Sequence, residues 1–325
     1  MTDLLEVDEL VVDYGRTRAL DGARLRVAPG ETVGVVGESG SGKSTLGAAI
    51  GRLLPRQARV AAGTVLVAGE PVLDLPPAEL RRLRGRRLGF VFQDPIGSLD
   101  PTMRVGRQLR LVLGRDRGQG KSSRRSADVG AHLARVGLDE ARVAAAYPHQ
   151  LSGGMAQRVA IALAMAASPE LLVADEPTAS LDSQVREKVL DVVFALAGEA
   201  GTGIVWLSHD LPAVARRCDR VAVMYGGRVV ESGPAAQVLG APAHPYTAAL
   251  AGSAPAAAAP GVRLRPVPGR PPVLTGPSPG CAFEPRCPFA EDRCASERPE
   301  PVRVGEQDVL CHRAGELTEE LEVVA

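Results

Sequence analysis

The 325-residue chain has no net charge, with 38 basic side chains against 38 acidic ones. That balance leaves no broad basic face of the kind a nucleic-acid binder presents. It also has no long apolar run: VAIALAMAA at 159–167, the longest in its helical middle, is nine residues, where a bilayer crossing takes ~20. The opening MTDLLEVDEL carries acids where a secretory leader carries basic and then apolar residues, so a cytoplasmic address is expected. Lysine is scarce, at 43, 121 and 188 alone, against thirty-five arginines. Cysteine is scarce too. Of five, Cys218 reads as a small buried residue before a strand, and Cys281, Cys287, Cys294 and Cys311 crowd the tail. In a reducing compartment such a tail points to metal or catalysis rather than disulfides.

What is present is ordinary globular material, 45% hydrophobic and 23% charged, long enough for two domains. Residues 3–12 alternate apolar and polar as a strand does, and ETVGVV (31–36) is a β-branched run. LGFVF (88–92), LLVA (171–174), IVWLS (204–208) and RVAVMY (220–225) read as further strands, several separated by helical stretches, the pattern of an α/β domain on a largely parallel sheet. The segment from Phe92 to Leu171 reads as mostly helical, with GRDRGQGKSSRR (114–125) a solvated loop. Beyond residue 240, Ala, Pro and Gly dominate up to the cysteines, which reads as a linker or extended arm.

GESGSGKST (37–45) fits G-x-x-x-x-G-K-[ST] between a strand and a helix. Gly37, Gly40 and Gly42 let backbone N–H groups turn inward around phosphate oxygens, and the helix N-terminus adds partial positive charge. Lys43 then reaches the β- and γ-phosphates and Ser44 ligates Mg²⁺, with Ser39, Ser41 and Thr45 completing the loop. A chain that avoids lysine uses it here because a compact ammonium fits within a ring of amides where a planar guanidinium does not. LLVADEP (171–177) ends an apolar strand in two acids at the carboxyl edge, where α/β sheets bind ligands. There Asp175 is expected to hold Mg²⁺ through water and Glu176 to polarise the attacking water.

With LSGGMAQR (151–158), Gln93 in VFQDP, SLD at 180–182 and His209 in WLSHD, the motif series over about residues 5–235 resembles the ATP-binding subunit of ABC transporters. The resemblance implies an α/β P-loop ABC nucleotide-binding domain: a RecA-like core with a β subdomain and a helical subdomain. It implies an ATP-driven dimer, each ATP lying between one subunit's phosphate loop and Ser152, Gly153 and Gly154 of the other. It further implies that Gln93 senses the γ-phosphate and Mg²⁺, that His209 contacts the γ-phosphate, that Asp182 belongs to the nucleotide site, and that Tyr14 stacks on adenine. Ala156 departs from the basic residue many relatives carry there, while the serine and glycines stay intact.

One cassette per chain, DPIGSLDPTMRVGRQL after Gln93, and AHPYTAAL (243–250) resemble the dipeptide and oligopeptide importer branch. That resemblance implies an ATPase domain over 1–240 and a Pro-rich, cysteine-containing extension over 241–325. It implies a second ATPase subunit, two membrane permease subunits and, indirectly, an extracytoplasmic peptide-binding protein as partners, no nucleic acid, and a peripheral place on the cytoplasmic face of the membrane. A soluble ABC ATPase acting on nucleic acid or ribosomes is the alternative. The cysteine spacing, C-x5-C-x6-C-x16-C, contains no C-x2-C and matches neither zinc ribbons nor common ferredoxins, leaving zinc, a cluster and no metal open. The family resemblance implies a [4Fe-4S] cluster, with His312 a substitute ligand should zinc bind instead.

Overall fold

Chain order begins with β1 (Leu5–Tyr14), β2 (Thr17–Val27), β3 (Thr32–Val36), α1 (Lys43–Ile50), β4 (Ala58–Val67) and β5 (Glu70–Pro71). Next come α2 (Pro77–Arg86), β6 (Leu88–Val91), α3 (Val105–Leu113), α4 (Ser122–Arg135), α5 (Glu140–Ala145), α6 (Gly153–Met165), β7 (Leu171–Asp175), α7 (Ser183–Ala200) and β8 (Gly203–Leu207). The chain ends with α8 (Leu211–Arg217), β9 (Arg220–Tyr225), β10 (Arg228–Pro234), α9 (Ala235–Gly240), α10 (Pro245–Gly252), α11 (Asp292–Ser296), β11 (Val302–Val304) and β12 (Gln307–Val309). This computed structural model describes residues 3–114, 122–178, 183–253, 266–317 and 320–321. Two units emerge: Met1–Val27, Glu31–Leu73 and Trp206–Ala325 form the first, Ala28–Gly30 and Asp74–Val205 the second.

In the first unit β1 is the centre of an antiparallel sheet ordered β2-β1-β4-β5. Its alternation buries Leu5 and Val7 and, past a bulge where Glu9 takes φ +46°, Leu10 and Val12; on each side of the bulge the period is the two expected of a half-buried strand. A second sheet runs β11-β12-β10-β9-β3. Its β3 is buried at every position and lies parallel to β9, as strands covered on both faces do. Gly226 and Gly227, at φ +54° and +75°, make the two-residue turn from β9 to β10, which requires left-handed backbone at both positions.

In the second unit β6 and β7 pair in parallel, Leu88 opposite Leu171. A parallel pair needs a crossover, and the helices α3 to α6 supply it, burying Leu109, Leu133, Val143 and Ile161. Ser122 already opens α4. The basic end of the stretch expected as a solvated loop is therefore helical, consistent with its arginines being good helix formers; 115–121 lies outside the described residues.

The tail differs from the arm its composition suggests. PYTAALAG forms α10 with Pro245, Tyr246, Thr247 and Ala248 buried, and β12 adds to the sheet edge at β10, Glu231 opposite Val309. Ala248, Leu317 and Leu321 gather with Phe289 into a small apolar cluster. Composition missed this because α10 has no polar face of its own; docking buries it. Residues 254–265 of the expected linker lie outside the described residues.

Candidate functional site

The phosphate loop leaves the carboxyl end of β3. Gly37, Gly40 and Gly42 have φ of +151°, +83° and +108°. A Cβ on Gly37 would collide with the Met224 carbonyl oxygen, and one on Gly42 would stand 2.7 Å from that of Ala19. Dihedral and space both demand glycine at these two places. The helix α1 then begins without a side-chain cap and without an acid in its first turn, so its N-terminal dipole favours an anion. Lys43 is buried; its Nζ donates to Gly37 O at 2.7 Å and Glu38 O at 2.9 Å. Ser41 is buried, Ser39 and Ser44 are exposed and Thr45 is half-buried.

Two more expected residues belong to the same unit. Ser208 N–H donates to Val35 O at 3.0 Å, which sets the carboxyl ends of β8 and β3 side by side. His209, exposed, leaves from the same edge as Gly37. Tyr14, half-buried, ends β1 opposite Thr17 and Ala58.

The second unit holds the others. Asp175 is the last residue of β7, and Glu176 follows at φ +44°. A non-glycine residue in that region costs about 1–3 kcal/mol and recurs where function holds a side chain in place. Gln93 is exposed, two residues past β6. Ser152 caps α6, its Oγ accepting from Met155 N–H at 3.3 Å. Ser152 and Gly153 are exposed and Gly154 half-buried; a Cβ on Gly153 would meet nothing within 4 Å. Asp182 lies outside the described residues.

In the tail, Cys281, Cys287, Cys294 and Cys311 line one cavity of about 20 Å³ together with Phe283 and Leu317, room for roughly one water. Burial pushes the Cys287 and Cys311 thiols up to about 11 and raises Cys281 as well, so they are protonated at neutral pH. Among the described residues no three His, Cys, Asp or Glu side chains form a group able to hold a metal ion. The expected [4Fe-4S] cluster, and zinc in its place, thus find no preformed ligand set. His312, the substitute ligand, is engaged with Glu297 O at 2.9 Å. Cys218 is buried, which pushes its thiol to about 12.

Sequence reasoning missed the partners of the loop. Glu38, a variable position of the motif, is tied to Tyr246 and Arg286, more than 200 residues away with no pattern to announce it. Asp21, buried, gathers Arg18, Arg228 and Arg298. Burial opposes the charge of Asp21 most, yet the three guanidiniums hold its carboxyl below the usual range.

Residues 20–179 match the ABC transporter family and 230–294 the oligopeptide/dipeptide transporter C-terminal region. The dipeptide transport ATP-binding protein DppD of Escherichia coli is 41% identical over 91% of this chain and 92% of its own. The oligopeptide transport ATP-binding protein OppD of Salmonella typhimurium is 41% identical, covering 91% and 89%. The chain belongs to this family of peptide-transport ATP-binding proteins. The family's OppD of Mycobacterium tuberculosis is 43% identical over 99% of the chain, which spans about half, 53%, of that relative. Among solved ABC structures, a dimeric ATP-binding cassette bound to ADP and phosphate superposes with TM-score 0.64 at 33% identity, over 71% of this chain and 98% of its own. The cassette cbiO1 from Clostridium perfringens gives 0.63 at 30% identity, over 74% and 92%.

Proposed function

We propose that the chain is the ATP-binding and ATP-hydrolysing subunit of an ABC importer for short peptides, peripheral to the cytoplasmic face of the membrane. The observation that carries this reading is the pairing, in one chain, of the ABC transporter match with the peptide-transporter C-terminal region. Lys43 and the amides of Gly40 to Ser44 bind the β- and γ-phosphates, and Tyr14 stacks on adenine. Ser44, Gln93 and Asp175 hold Mg²⁺, which neutralises phosphate charge when bound. Glu176 orients and polarises the attacking water; His209 and Gln93 contact the γ-phosphate, and Asp182 lies at the same nucleotide.

Ser152, Gly153 and Gly154 act on the ATP of a second ATPase subunit. The open space over Gly153 supports this, since nothing in its own unit requires glycine there. A hydroxyl, two small N–H-bearing residues and a helix N-terminus aimed at a γ-phosphate act when the partner closes, so binding energy becomes closure and hydrolysis releases it. Phe92, Ile96 and Leu111, exposed at 41%, 44% and 53%, support docking of the second unit on membrane permease subunits, which an extracytoplasmic peptide-binding protein supplies with substrate. Among the described residues no helix is long and apolar enough to cross a membrane.

The cysteine tail carries a finer proposal: Cys281, Cys287, Cys294 and Cys311 hold a [4Fe-4S] cluster, or a zinc ion, that cross-links the extension. The four thiols line one small cavity without a preformed ligand set, so binding would have to draw them together. Iron, acid-labile sulfide and zinc analysis after anaerobic purification tests it, and metal-free folded protein would refute it. For the importer itself the test is co-purification: a pair of membrane proteins is expected with the tagged chain, and stable association with ribosomes or DNA instead would overturn it.

A further inference from the structure

Glu38 is the second residue of the phosphate loop, so an unpaired carboxylate there adds negative charge close to any bound polyphosphate. Arg286 of the extension meets the Glu38 carboxylate with both terminal nitrogens, at 2.6 Å and 3.0 Å. The Arg286 side chain is 5% exposed and that of Glu38 24%, so solvent screens the pair little. The guanidinium is fixed on every side: it donates to Tyr225 Oη at 3.2 Å and to the carbonyls of Pro268 and Val267, and it lies over the rings of Tyr225 and Phe283. A planar fork held this way is a positioned charge rather than a mobile surface arginine.

A second tie reaches the same residue. Glu38 N–H donates to Tyr246 Oη at 2.8 Å, which turns that amide away from any phosphate, while Glu38 O receives Lys43 Nζ. Tyr246, Tyr225 and Phe283 pack with ring centroids 4.5–5.4 Å apart. The contact continues behind the loop: Gly226 leaves room for Ala282, which a Cβ would meet at 2.7 Å, and Gly227 N–H donates to Ser41 O at 3.1 Å.

We propose that the C-terminal extension is an intramolecular clamp on the phosphate loop, in which Arg286 neutralises Glu38 and, with Tyr246, positions the loop for ATP. Both are positioning residues, and ATP affinity then depends on the docked extension. The inference rests on the ATP-binding reading above.

The test is ATP affinity of the purified full-length chain, by equilibrium binding in low salt, with a thermal melt of each variant as a folding check. Arg286→Gln is expected to weaken ATP binding about tenfold, within the usual range of coupling between sites, and the loss shrinks as salt screens the exposed charge. Adding Glu38→Gln to that variant restores affinity, because the repulsion is gone; a purely structural role would instead compound the damage. Arg286→Lys retains most of the affinity. Binding by Arg286→Gln equal to wild type, or a double variant no better than the single one, overturns the clamp. A wild-type chain that binds no ATP, or whose binding survives Lys43→Ala, overturns the ATP-site reading instead.

Discussion

The phosphate loop and the Ser152–Gly154 segment are both glycine-bearing entries to a helix, and their surroundings differ completely. Around Gly37 and Gly42 the protein fills the space a Cβ would take, and Glu38, Ser41 and Lys43 are each bonded to neighbouring chain. Around Gly153 there is open space, and Ser152 is exposed with a single capping bond. The first site is finished by its own fold; the second presents its groups outward. A glycine forced by its own unit tells of local structure, whereas one that nothing nearby forces leaves room for another group to approach.

Lys43→Ala attacks the finished site and carries the larger expected effect of the two sites. It removes the charge-assisted bonds proposed to the β- and γ-phosphates, of the kind worth about 1.5–3 kcal/mol each, and ATP binding should fall about a hundredfold or more by equilibrium binding. Gly153→Val attacks the outward site and separates the two. Because the space is open, its melting temperature should stay near wild type and the chain should still bind ATP, while hydrolysis falls about tenfold or more for want of closure. Retained hydrolysis would show that the segment does not work across a partner.

The smallest effect sharpens the link between extension and loop. Glu231 is buried and accepts from the N–H groups of Ala243 and His244 at 2.8 Å and 3.0 Å, fixing the entry to α10 and hence Tyr246. Burial pushes its carboxyl up to about 7. Its contribution to stability is therefore full below the unfolded carboxyl value and lost as pH rises through 7. The melting temperature should fall between about pH 4.5 and 7 in wild type, level off above that, and fall less in Glu231→Gln.

Much of this was legible in the chain. The apolar runs of β3, β6, β7, β8 and β9 end within a residue or two of where they were read, because strands covered on both faces are near-continuous hydrophobic runs. The phosphate loop was legible for a related reason: its glycines answer local dihedral and steric demands. By contrast, β2 and β4 carry Arg, Gly and Ala in half-exposed strands, and their pairing with β1 leaves no periodic mark. The docked α10 was hidden because its burial comes from the unit it packs on. Arg286 was hidden furthest, since an ion pair spanning 248 residues of sequence has no signature in either segment. The cysteines were conspicuous by count, yet their spacing did not say whether they bind a metal.

The most direct test of the account is ATP hydrolysis by Glu176→Gln, measured as phosphate release with Mg²⁺ on the chain together with the proteins that co-purify with it. Loss of a positioned base predicts a fall of about 10²–10⁴-fold, with unhydrolysed ATP retained on a closed dimer. Turnover at the wild-type rate would contradict it.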